Sequence, residues 1–192
     1  MKNSKIFLLL VIIFFISSCT QLRQVGFRDY ETSFLKQLDK QTVEKKLYRD
    51  FETVAIAKVT YFNPTLANQY YNYLKQHNAI SKSNQHLYDS FVNDCSKNTV
   101  FWVNLYSSYY ESSNISDKNS FWNVYLDCNG KRIQPVKIEH VSKGSPLNAW
   151  LYLKPKNYWS QNYIIEFDKN CDDNAIDFNM ASIIGSLDFK FR

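Results

Sequence analysis

Short segments of β-branched and aromatic residues recur through the second half of this 192-residue chain. They begin at Asn98, and turn signals such as the pair Asn129-Gly130 separate them. Short strands with turns between them are typical of antiparallel sandwiches. Before Asn98 the apolar residues instead recur at the spacing of amphipathic helices. The sequence therefore predicts an α+β fold, an immunoglobulin-like antiparallel β-sandwich with an N-terminal helical segment.

The N-terminal segment, residues 28–97, is predicted to be mainly helical. An amphipathic pattern runs from Arg28 to about Tyr48. Residues 51–62 are β-branched and apolar and predict a strand, with a helix as the alternative because the alanines fit either. The pair Asn63-Pro64 then has the form of a helix N-cap followed by proline at the first helical position. It predicts a helix that extends to about Gln76.

Residues 98–192 form the predicted β-sandwich region and, with residues 28–97, one domain. Its predicted strands are 99–109, 120–127, 131–141, 149–153, 158–167 and 176–191. Pro135 falls inside the third of these and indicates an edge strand or a bulge, since proline donates no hydrogen bond to a neighbouring strand.

Three cysteines lie in the predicted domain, and their pairing follows from the directions of the strands. If consecutive strands alternate in direction, Cys95 and Cys128 lie at one end of the sandwich and Cys171 at the other. A disulfide requires Cα atoms within about 7 Å of each other. We therefore expect a Cys95–Cys128 disulfide with Cys171 free; three reduced thiols are the alternative.

The start of the chain has the form of an export signal. Lys2 and Lys5 precede an uninterrupted apolar run, Ile6–Ile16. A permanent transmembrane helix needs about 20 residues, so this run is too short to span a bilayer and fits a secretory signal peptide. The run ends in Ile16-Ser17-Ser18-Cys19, where two small residues directly precede a cysteine.

This ending resembles the lipobox of bacterial lipoproteins. The resemblance implies that residues 1–18 are removed, that Cys19 carries a diacylglyceryl thioether, and that residues 19–27 tether the domain to a membrane. Lipid groups with several acyl chains hold a protein on a bilayer without a spanning helix. Thr20 stands where an Asp would imply retention in the inner membrane, so the outer membrane is favoured in a Gram-negative organism. An ordinary signal peptide with an incidental cysteine is the alternative.

Several function classes are excluded or disfavoured by residue usage. The four glycines are too scattered to form a phosphate-binding loop, and the sequence has no motif for a cofactor. Lysine outnumbers arginine 18 to 5 and the charges are interspersed, so no nucleic-acid partner is expected. No common hydrolase motif occurs, and the acidic stretch 168–177 lacks the spacing of an EF-hand. We therefore expect neither a catalytic site nor a metal site.

The aromatic residues supply the remaining candidates for a functional surface. Trp102 and Trp122 lie in predicted strands and are expected in the core. The expected surface contacts are aromatic residues in or beside predicted loops: Trp150, Trp159, Tyr109 and Tyr110. Together with the lipobox, they predict a non-catalytic envelope lipoprotein that contacts a protein or a glycan. A lipid-anchored hydrolase with an unrecognised site, built around His140 or His86, is the alternative.

Overall fold

The computed structural model describes residues 33–109, 113–128, 130–148, 159–168 and 176–191. The chain divides into two compact units, Met1–Lys36 and Gln37–Arg192. The boundary falls inside the range 28–192 that is predicted as one domain. Both β-sheets belong to the second unit.

Within the described ranges the chain forms helices α1 (Ser33–Lys40), α2 (Pro64–Gln76) and α3 (Gln85–Lys97). The strands are β1 (Thr42–Arg49), β2 (Glu52–Phe62), β3 (Asn98–Ser107), β4 (Asn123–Cys128), β5 (Lys131–Ile133), β6 (Lys137–Val141), β7 (Gln161–Asp168), β8 (Ile176–Ser182) and β9 (Gly185–Phe191). None of the helices described is long and apolar enough to cross a membrane.

The strands pair in antiparallel fashion in two sheets. Sheet A has the order β1-β2-β3-β7-β6, and sheet B has the order β5-β4-β8-β9. The α+β class and the sandwich-like arrangement of two sheets, both predicted from the sequence, are thereby confirmed.

The main core lies between the inner faces of the two sheets. Val103 and Ile165 from sheet A and Leu126 and Phe178 from sheet B are fully buried in it. The rings of Phe101 and Phe178 have centroids 4.7 Å apart. Since side chains alternate between the two faces of a strand, a shift of one residue would expose this whole set, so the core fixes the register of the sheets.

A second apolar layer covers the outer face of sheet A. The ring of Phe62 leaves that face and packs edge-on against Tyr70 of α2 and Phe91 of α3. The predicted cap of α2 is confirmed, because Asn63 Oδ1 accepts a 2.8 Å hydrogen bond from Leu66 N and Pro64 follows it. The helices are therefore anchored at one end of the sheet.

The helix predicted from Arg28 to Tyr48 is wrong in its second half. Residues 42–49 form strand β1, paired with β2 along its whole length. Val43 and Leu47 are four residues apart and fit either period, so the local pattern does not decide between helix and strand. The exposed edge of β2 decides, because it offers unpaired backbone groups to the adjacent segment.

The strand predicted at 131–141 is divided between the two sheets. Residues 131–133 pair with β4 in sheet B, as the predicted hairpin at Gly130 requires, whereas residues 137–141 pair with β7 in sheet A. Pro135 lies at the crossover. Proline cannot continue a ladder of hydrogen bonds, and here it marks a change of sheet. The two strands that it separates, β5 and β6, are both edge strands, as expected from the proline.

Candidate functional site

Two β-turns meet at one end of the sandwich. The turn between β1 and β2 covers residues 50–51, and the turn between β8 and β9 covers residues 183–184. A Cβ atom placed on Gly185 would lie only 2.8 Å from Leu47 Cδ1. The β8–β9 turn of sheet B therefore lies directly against the end of β1 in sheet A.

The end of β3 and the start of β7 lie at this same end of the sandwich. In sheet A these two strands lie between β2 and the edge strand β6. Leu105 is paired with Gln161, so the last residues of β3 lie beside the residues that precede β7. Ser108 N donates a 2.9 Å hydrogen bond to Val54 O, which is close to the β1–β2 turn. Tyr109 and Trp159 are thus brought to the same end as the two turns.

This end carries most of the exposed large apolar side chains among the described residues. We call it the apolar end; its exposed members are Tyr48 (59%), Phe51 (105%), Tyr109 (57%), Trp159 (63%) and Ile183 (93%). The remaining exposed large apolar residue of the described chain, Val136, precedes β6 at the opposite end. Large apolar side chains exposed on one region of a protein surface are candidates for a contact site.

Polar side chains lie beside Trp159 at the apolar end. His140 Nε2 and Gln161 Oε1 are 2.8 Å apart, and the Asn104 amide donates to Ser160 Oγ over 3.0 Å. An aromatic ring next to amide and hydroxyl groups can stack on the apolar face of a sugar while the amides bond its hydroxyls. The same groups can form the rim of a protein interface.

A charged cluster occupies the other end of sheet A. Glu166 is buried and accepts hydrogen bonds from Lys137 Nζ at 2.9 Å and from the Asn98 amide at 3.2 Å. Hydrogen bonds to Glu139 and Glu166 raise the pKa of Lys137. Burial, followed by the nearby Glu166 charge, raises the pKa of Asp94. This cluster therefore holds the ends of β3, β6 and β7 together.

The predicted Cys95–Cys128 disulfide is absent. Cys95 is a buried free thiol, and burial raises its pKa, whereas Cys128 is disulfide-bonded. Cys95 belongs to α3, outside sheet A, whereas Cys128 ends a strand of sheet B. Packed sheets are about 10 Å apart, so sheet A separates these two cysteines beyond the reach of a disulfide. The partner of Cys128 lies outside the described ranges.

The other predicted site residues divide into three groups. Cys19, Tyr110, Trp150 and Cys171 lie outside the described residues. Trp102 and Trp122 are buried, as expected, and neither indole N–H has an acceptor within the described ranges. Tyr109 and Trp159 are exposed at the apolar end.

Three members of the apolar end were missed from the sequence: Tyr48, Phe51 and Ile183. The sequence carries one signal, because Phe51 directly follows Asp50, a residue type common in turns. In the structure Asp50 has a positive φ of 54°. That signal indicates that Phe51 is exposed. It does not indicate that the β1–β2 turn and the β8–β9 turn lie at the same end of the sandwich.

Comparisons with protein-family models, with curated proteins and with solved structures found no match. Among the described residues no group of three His, Cys, Asp or Glu side chains is placed to hold a metal ion. The apolar end and the start of the sequence are therefore the two features of this chain that bear on its function.

Proposed function

We propose that this chain is a lipid-anchored bacterial envelope lipoprotein that acts as a non-catalytic binding module. Cys19 carries the lipid, the protein is exported, and the outer membrane is its location in a Gram-negative organism. The module contacts an envelope protein or glycan through the apolar end. The observation that carries the proposal is the collection of five exposed apolar side chains at one end of the sandwich.

The energetics support a contact there. Burying an exposed aromatic or aliphatic side chain contributes about 1.5–3 kcal/mol. Trp159 and Tyr109 offer such surface at low cost in side-chain entropy, and the His140–Gln161 pair beside Trp159 offers directional hydrogen bonds. A hydrolase stays the alternative; a histidine–carboxylate pair in a cleft would support it, whereas His140 contacts the amide of Gln161.

We also propose that the sandwich is immunoglobulin-like. Antiparallel strands in two packed sheets support this classification, as do connections that pass between the sheets, such as the one from β3 to β4 and the one from β7 to β8.

Metabolic labelling tests the lipid anchor. The Cys19→Ala variant should accumulate as an unprocessed precursor without labelled palmitate, because no sulfur is available for the thioether. The Cys95→Ala variant is the matched control, since it removes a thiol elsewhere and should keep the label. Normal processing and labelling of Cys19→Ala would refute the anchor.

Site-specific photo-cross-linking in intact envelopes tests the contact surface. A photoreactive residue at position 159 should give a defined product, whose mass and sensitivity to protease or muramidase identify it as protein or glycan. The same residue at position 136, exposed at the opposite end, is the control and should give none. Equal products at both positions, or none at position 159, would contradict the proposed contact.

A further inference from the structure

The side chains of the apolar end are graded in exposure and chemistry. The two most exposed, Phe51 and Ile183, are pure hydrocarbon and stand in the two touching turns. The less exposed Tyr48, Tyr109 and Trp159 each combine an apolar ring with one polar group. The most exposed side chains of this surface are thus hydrocarbon, and the amphipathic rings are more covered by the protein.

A lipid bilayer has the same order of chemistry. Phe and Ile favour its hydrocarbon region, whereas Trp and Tyr are enriched at the headgroup level because their rings are apolar and their polar groups stay hydrated. A fluid bilayer accommodates both turns without a preformed pocket.

We propose that, while no protein or glycan partner occupies it, the apolar end docks on a lipid bilayer. Phe51 and Ile183 enter the upper acyl-chain region, and Tyr48, Tyr109 and Trp159 lie at the level of the headgroups. The ligand is the bilayer surface itself, and no particular lipid is required because the contact is made by apolar side chains.

The strength of this docking rests on the lipid anchor of the proposed function. A few apolar side chains bind a bilayer only weakly, but a tether that already holds the protein on the membrane raises their effective concentration. Residues 19–32 could span up to about 46 Å if fully extended, whereas an eight-residue strand such as β1 is about 27 Å long. A lipid on Cys19 therefore leaves enough chain for the apolar end to reach the same bilayer.

Quenching of Trp159 fluorescence tests the docking. The full lipidated protein is reconstituted in phosphatidylethanolamine–phosphatidylglycerol vesicles, with or without bromine on the acyl chains. Subtracting the spectrum of Trp159→Phe isolates the signal of Trp159 from those of the other tryptophans. We expect brominated lipid to quench this signal, and the double variant Phe51→Ser/Ile183→Ser to lose the quenching while it remains bound to the vesicles.

The controls separate the docking from the anchor. Val136→Ser removes an exposed apolar side chain at the opposite end and should leave the quenching unchanged. Vesicle-bound protein without quenching, or with quenching that persists in the double variant, overturns the docking and leaves the anchor intact. If the protein carries no lipid, the anchor is refuted. The thiol of Cys19 is then coupled to a maleimide lipid. Trp159 quenching by brominated lipid, compared between this protein and the double variant, decides the docking.

Discussion

Glu166 is a carboxylate on the outer face of β7 with only 7% of its side chain exposed. Removing such a group from water costs several kcal/mol unless charges and hydrogen bonds compensate it. Lys137 from β6 and Asn98 from β3 provide that compensation, at 2.9 Å and 3.2 Å. The three residues come from three neighbouring strands of sheet A, so one buried charge fixes their alignment.

Replacing Lys137 with Met should therefore destabilise the protein. The variant leaves Glu166 buried with a neutral partner, and we expect the free energy of unfolding to fall by about 1–2 kcal/mol, a modest loss because Lys137 is itself half exposed. Urea unfolding at neutral pH measures it. Lys82→Met, at an exposed turn, is the control. Equal stability of the two variants would show that Glu166 is solvated.

The pH dependence of stability should report on Asp94. Its pKa is raised in the folded protein, first by burial and then by Glu166. An aspartate whose pKa is higher in the folded than in the unfolded protein stabilises the fold when the pH is below its unfolded pKa, about 3.9. This stabilisation is lost as the pH rises through the pKa of the folded protein. Asp94→Asn should thus match the wild type in acid and become relatively more stable toward neutral pH. Urea unfolding at a series of pH values tests this; a constant difference would contradict it.

At the scale of elements, the start of α2 is specified by adjacent residues. Asn63 Oδ1 satisfies the amide of Leu66, and Pro64 presets the first helical φ angle. Strand β1 shows the opposite case, since its conformation depends on pairing with β2.

Removing the cap of α2 should cost a measurable amount. Asn63→Ala leaves the Leu66 amide without its acceptor, and we expect about 1 kcal/mol of destabilisation. Thermal unfolding followed by circular dichroism measures it. Asn93→Ala, on the exposed side of α3, is the matched control and should be neutral, because alanine is the better helix former. An unchanged stability of Asn63→Ala would mean that water replaces the Asn63 side chain as the acceptor for the Leu66 amide.

The sequence predicts the elements that adjacent residues specify and misses those that depend on distant partners. Strand β2, helix α2 and the hairpin at Gly130 have local sequence signals, and the sequence predicts all three. The conformation of residues 42–49 and the change of sheet at Pro135 depend on partners that the local pattern does not name. The apolar end was predicted only in part, because Tyr109 and Trp159 follow from the aromatic composition, whereas the placement of Phe51 and Ile183 at the same end follows from packing.

At the scale of the whole molecule, a disulfide reinforces sheet B at the end opposite the apolar end. Cys128 follows Asp127, which is paired with Asp177 at the start of β8. Cys95 is free, and a lipidated Cys19 has no thiol to offer. Cys171 precedes Ile176 by five residues, and such a segment spans up to about 17 Å, enough to reach Cys128.

We expect a Cys128–Cys171 disulfide. Peptide mapping without reductant should recover these two cysteines linked, and Cys171→Ser should lower the free energy of unfolding by about 4 kcal/mol, the value for a loop of this size in the chain-entropy model. Cys95→Ser should leave the linkage unchanged. A Cys19–Cys128 linkage would refute this pairing and the lipid anchor together.

The pairing of β3 with β7 also sets an order of assembly. Strands β1, β2 and β3 and their helices follow one another in sequence, so they can associate as soon as residue 107 is available. Asn98, however, pairs with Asp168, and closing so long a loop is slow. Until β7 arrives, β3, the central strand of sheet A, has one open edge. During that interval it is a template for the same strand of another copy, so refolding at high protein concentration should favour aggregation over the native sandwich.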